Sequence, residues 1–168
     1  MGVSMHDASV GVFRARLRSL SHVLAKGEEN AAERKIDPQA FLQARLAPDM
    51  FPLVGQVRIA SDHAKGASLR LAGRELVPFE DNEVTFADLQ ARISRTVELL
   101  DGLSPEEFEG SETREIVLRL GSRERVFAGQ DYLLNFAVPN FYFHVTTAYA
   151  ILRHNGVPIG KRDFLHAG

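Results

Sequence analysis

The sequence predicts a mainly α-helical protein: a four-helix bundle with a small β-hairpin inserted before the last helix. Three observations carry that reading. Apolar residues recur at spacings of three and four along four long segments. Only one region carries a strand signal, Arg114–Leu120 and Arg123–Ala128 around Gly121-Ser122, a two-residue hairpin turn with glycine first. With 168 residues and 45% apolar composition, the chain forms a single domain over 1–168 that buries its own core.

In chain order, Val10, Phe13, Leu17, Leu20 and Leu24 mark one face of a first helix from Asp7 to Ala32, with Arg14, Arg16 and Arg18 between them. Asp37-Pro38 restarts the helix, Asp37 as cap and Pro38 at the first helical position, with a short helix from Gln39 to Leu46. Asp49 opens a second long helix with Leu53, Val57, Ala60, Ala64, Ala67 and Leu71 along one face. Pro52 falls in its first turn, and Gly73 suits its C-terminal cap. The small residues on that face let a neighbouring helix come close.

GRELVPFEDNE reads as a polar linker. Thr85 with Asp88 forms a capping box, and Phe86, Leu89, Ile93, Val97 and Leu100 continue as a third helix. Ser104-Pro105-Glu106-Glu107 starts a single turn by the same logic. The fourth helix runs from Asp131 to His154 and stops at Asn155-Gly156, with Pro158 beyond. Pro139 lies inside it and should kink it just before Asn140 and His144.

Composition removes several function classes. Lys and Arg total 20 against 22 Asp and Glu, a net charge of -2, so no nucleic-acid partner is expected. The chain has no cysteine, which excludes disulfides, thiolate metal ligands and a cysteine nucleophile. No apolar run approaches the roughly 18 residues of a membrane span and no leader-like core follows the start, so a cytoplasmic protein without membrane contact is expected. Phosphate-loop, dinucleotide and nucleophile-elbow patterns are missing.

Asn140 and His144 are four residues apart and point the same way. A helix displaying imidazoles at that spacing is a common metal-holding device, and here one of the pair is asparagine. Phe141, Phe143 and Val145 flank His144 and favour its burial on the bundle axis, where Asn140 can supply a hydrogen bond. Gln56 and His63 share a face of the second long helix, whereas Asp62 lies about 100° away from His63 and pairs at the surface with Arg58 and Lys65. Tyr142 and Tyr149 form a stripe for packing or a dimer face. Lys161 and Arg162 either clamp a carboxylate or phosphate, or stay solvated while Phe164 and Leu165 dock the tail.

The phrases LAPDMFPLVGQVRIASDHAKG, PNFYFHVTTAYAILRHNG and GVPIGKRDF resemble a domain-of-unknown-function family within the DinB/YfiT-like superfamily of bacterial four-helix bundles, and the likeness covers nearly the whole chain. The resemblance implies a DinB-like fold, a homodimer, and a divalent metal such as zinc or nickel. In the superfamily three histidines hold that metal, one on the second helix and two in an H-x-x-x-H turn on the fourth. Some such members are thiol-dependent transferases or isomerases. Registering on Leu152-Arg153 and Gly156 puts Asn140 at the first of the paired histidines and His144 at the second. The second-helix ligand falls among Gln56, Ile59, Ala60 and His63.

An Asn oxygen is a weak ligand for zinc or nickel, so the inherited set reduces to His144, His63 and Gln56. Two readings therefore stand. One is a small-molecule enzyme or degenerate enzyme with a pocket between the second and fourth helices. In it His144 and Asn140 are catalytic, and Tyr142, Lys161 and Arg162 contact ligand. The other is a non-catalytic, dimeric ligand-binding or structural protein in which His144 and Asn140 form a satisfied core.

Overall fold

The computed structural model describes residues 2–165. A π-helical turn, Asp7–Gly11, leads into α1 (Val12–Glu33), whose Phe13, Leu17, Leu20 and Leu24 are fully buried. Helix α2 (Pro38–Leu42) begins as expected, with the Asp37 carboxylate accepting from the Gln39 N–H at 2.9 Å. It ends four residues before the expected Leu46. Arg45 holds the following turn by donating to the Met50 carbonyl at 3.1 Å.

Helix α3 (Leu53–Ala72) starts later than Asp49 because Pro52 is extended (φ -69°, ψ 171°) and disfavours helix in the residue before it. All six residues of its expected core face have no solvent exposure. Gly73 closes the helix at φ 71°, a left-handed position that suits glycine. Helix α4 (Phe86–Asp101) opens on the expected capping box between Thr85 and Asp88. A 3₁₀ turn over Pro105–Phe108 follows, also boxed, by Ser104 and Glu107.

The linker before α4 has no regular structure but is strapped down by charge. Arg58 donates to the Glu83 carboxylate at 2.6 Å and to its carbonyl at 2.7 Å. Arg92, buried on α4, reaches Glu83 at 2.8 Å, Asp81 at 3.0 Å and Asp62 at 3.0 Å. Phe79 lies under Lys65 and Arg95. Of the pairing expected for Asp62, the Lys65 half forms at 3.0 Å and the Arg58 half is corrected: Arg58 turns to Glu83, and the buried Arg92 takes the other oxygen of Asp62.

Strands β1 (Glu115–Leu120) and β2 (Arg123–Ala128) pair antiparallel, with Ile116 opposite Phe127 and Val117 opposite Val126. Ile116, Leu118 and Phe127 are buried while Val117 and Val126 face out, the alternation of a one-sided ribbon. The chain turns back into the bundle at Gly129, where any Cβ would sit 1.9 Å from the Ser111 carbonyl oxygen. Only glycine fits that approach.

Helix α5 (Gly129–Tyr132), a π segment over Leu133–Ala137 and α6 (Val138–His154) then run on as one rod. Within it the Val138 N–H bonds the Leu133 carbonyl five residues back. The interruption expected at Pro139 therefore takes the form of a π segment immediately before it, so the residue without an N–H falls where the ladder has already shifted. In the bundle, α3 packs against α6 and α4, and α1 packs against α4 and α6, with the hairpin against α5. Helix α7 (Lys161–Leu165) returns over α1. Among the described residues no helix is long and apolar enough to cross a membrane.

Candidate functional site

Gln56, His63 and Arg70 stand seven residues apart along α3, and so share one stripe facing α6 and the hairpin. Close packing of the Ala-rich α3 face brings that stripe against His144. The Gln56 side chain is buried, and its Oε1 lies 2.7 Å from His144 Nδ1. Gln56 Nε2 donates to the Phe51 carbonyl at 2.9 Å, which turns the amide oxygen towards the imidazole. His144 Nδ1 must then carry the proton, leaving Nε2 with its lone pair.

The His63 and His144 rings stack, with centroids 5.7 Å apart and planes 16° from parallel. Burial, reinforced by His63, pushes the His144 pKa down to about 4. Burial also lowers the pKa of His63, helped by Arg70 and opposed by Asp62. Both rings are therefore neutral near pH 7.

A cavity of about 260 Å³ opens beside His63, bounded by Ile59, Leu118, Tyr132, Phe136, Arg70 and Arg119. His63 forms part of its wall, and His144 lies behind the His63 ring. Tyr132 Oη accepts from Arg70 Nη1 at 3.4 Å, and burial raises the Tyr132 pKa. A larger hollow of about 420 Å³ lies by Phe79 and Arg92, among charges already paired across the strapped linker.

The expected site residues separate into two groups. His144, His63 and Gln56 come together. Asn140 does not join them: its side-chain amide donates to the Phe136 carbonyl at 2.6 Å, bridging the Pro139 step, so Gln56 rather than Asn140 orients His144. Tyr142 packs against Phe141 on the α1 side, beside Phe164 and Leu165. Lys161 and Arg162 are exposed on α7 and lie outside the imidazole cavity. The tail follows the docking alternative through Phe164, which packs edge-on to Tyr149, whereas Leu165 stays exposed.

Arg70, Tyr132 and Phe136 were not anticipated. The heptad Gln56–His63–Arg70 was the sequence signal for the first. The other two depend on how the π segment turns the rod.

The donors present do not fit the three-histidine metal centre that the resemblance implies. With asparagine at the first position of the paired turn, only two imidazoles, His63 and His144, come together, one short of the three that such a centre needs. Gln56 Oε1 is engaged by His144. Among the described residues no group of three or more His, Cys, Asp or Glu side chains is placed to hold a metal.

No curated protein matches the chain. The crystal structure of a DinB family member protein from Shewanella denitrificans is similar to it, with 38% sequence identity and a TM-score of 0.92, over 98% of this chain and 93% of that one. The bundle and its hairpin insert are thus a DinB-like fold. The family model for the domain of unknown function DUF1993 matches residues 5–165, and the chain accordingly belongs to the DUF1993 family.

Proposed function

We propose that this DinB-like protein is a small-molecule enzyme that moves protons without a metal, at the cavity between α3, α6 and the hairpin. The observation that carries the reading is the pair of neutral, stacked imidazoles with one tautomer fixed by Gln56. His63 meets the substrate and exchanges a proton with it. His144 is a positioning residue, held neutral behind His63, where a proton on either ring disfavours a proton on the other. Neutral imidazoles with lowered pKa are proton acceptors at neutral pH, and Ile59, Leu118 and Phe136 give the cavity apolar walls.

The test is deuterium exchange into small carbon acids in heavy water, followed by proton NMR. Wild type should exchange one member of a panel of ketones and oxo acids, and His63→Ala should abolish this while remaining folded. Exchange that survives His63→Ala sinks the assignment. Added zinc or nickel should leave both exchange and melting temperature unchanged.

A second reading is a non-catalytic, dimeric binding or structural protein, supported by the internal satisfaction of the Gln56 and Asn140 amides. The small-residue face of Ala60, Ala64 and Ala67 is buried within the chain itself, and Tyr149, on the stripe that could form a dimer face, packs against Phe164. A dimer would need another surface. Light scattering of the purified chain decides its mass.

A further inference from the structure

We infer that the cavity beside His63 is built to hold a small organic carboxylate, with Arg70 recognising its charge. The inference rests on the proposed cavity and names its substrate class. Arg70 is half-buried, and among the described residues its one polar partner is the neutral Tyr132 hydroxyl. The other arginines that reach inward are satisfied differently: Arg58 and Arg92 by carboxylates, Arg114 by the Leu71 carbonyl, Arg16 by the Phe164 carbonyl. Asp62, the carboxylate on the cavity wall, is engaged by Lys65 and Arg92 at 3.0 Å each. Among the described residues Arg70 is thus a partly desolvated cation without a counter-ion, and its planar fork fits a carboxylate through two parallel bonds.

Its position is prepared by the backbone. The Arg70 side chain folds back one turn over Gly66, where a Cβ would lie 2.8 Å from Nη1. Glycine in a helix interior costs about 0.5–1 kcal/mol relative to alanine. The space it frees lets the guanidinium lie against the same cavity as His63. Ile59, Leu118 and Phe136 line the remainder, and about 260 Å³ accommodates an acid of a few carbons. Arg119, at the rim, is 85% exposed, with Glu124 3.6 Å away. A carboxylate held by Arg70 sets the neighbouring carbons of its ligand at the His63 imidazole.

The experiment measures binding of acetate, pyruvate and benzoate against acetamide and benzamide, by NMR of the His63 ring and by calorimetry. Carboxylates should bind wild type at least about tenfold tighter than the matching amides, a difference of about 1.4 kcal/mol. Arg70→Gln should remove that preference. Gly66→Ala should weaken carboxylate binding while melting at or above the wild-type temperature, which separates loss of the site from loss of the fold. Equal affinity for acids and amides, or acid binding untouched by either variant, overturns the inference. So does tighter binding of inorganic phosphate than of any carboxylate, and so does the lack of carboxylate binding by wild type. Carboxylate binding that depends on Arg70 but persists, without proton exchange, in wild type and His63→Ala alike keeps the anion site and removes the catalytic reading.

Discussion

Gln56 Oε1 accepts from His144 Nδ1 at 2.7 Å across the α3–α6 contact, and this one bond decides which imidazole nitrogen is protonated. Replacing Gln56 by Glu should place a carboxylate against Nδ1 and raise the His144 pKa from about 4 by about 1–3 pH units, read by NMR titration of the ring. Gln56→Leu should instead leave the Nδ1 proton without its acceptor and cost about 1–3 kcal/mol in chemical denaturation.

Asn140→Ala tests the alternative orienter. The Asn140 amide bonds the Phe136 carbonyl, so its loss should cost about 1 kcal/mol and leave the His144 titration unchanged. A His144 pKa that moves with Asn140 and not with Gln56 would reverse the assignment.

Acid should destabilise the protein through His144. The unfolded chain takes up its proton near the ordinary pKa of 6.5, and the folded chain only near 4. The unfolded state therefore binds more protons in that interval, so stability is full above pH 6.5 and declines as pH falls towards 4. After discounting for partial exposure the loss is about 1–2 kcal/mol. His144→Phe should flatten that slope in urea melts run across the interval.

Asp163 governs a lower window. The Gly160 N–H, then His22 and Lys26, hold its carboxyl at about 2, below the ordinary 3.8. Its contribution is present above pH 3.8 and disappears as pH falls towards 2. Asp163→Asn should lower the melting temperature modestly at pH 7 and make no difference at the bottom of that window. Proteolysis at the α7 end should accelerate in the variant at neutral pH.

Arg92 holds the linker before α4. Its guanidinium is 2% exposed and meets Asp62, Asp81 and Glu83. Arg92→Met should cost about 1–3 kcal/mol, because Glu83 loses one of its two charged partners and keeps Arg58. Further replacement of Glu83 by Gln should recover part of the loss, which a double-mutant cycle would measure.

The sequence by itself determined the elements whose signals are local. Asp37 and the Thr85–Asp88 box fix helix starts through their own backbone N–H groups, and Gly73 ends α3 through its left-handed φ. The core face from Leu53 to Leu71 and the alternation around Gly121 follow from periods of 3.6 and 2. Those signals were enough for the bundle and the hairpin, whereas the grouping of His144 with Gln56 and His63 rested on the resemblance to the DinB/YfiT-like superfamily.

Tertiary structure alone decided the partners at the site. A helix face says which way a side chain leaves the backbone but not what the facing helix offers it. Asn140, one turn from His144, looked like its natural companion. The π segment and Pro139 instead left the Phe136 carbonyl within reach of the Asn140 amide, and Gln56, 88 positions away in the chain, took its place. The stacking of the two imidazoles and the union of Arg70 with Tyr132 likewise depend on the approach of α3 to α6 and the turn of the rod at Leu133–Ala137. These contacts join residues far apart in the chain, and no local period encodes them.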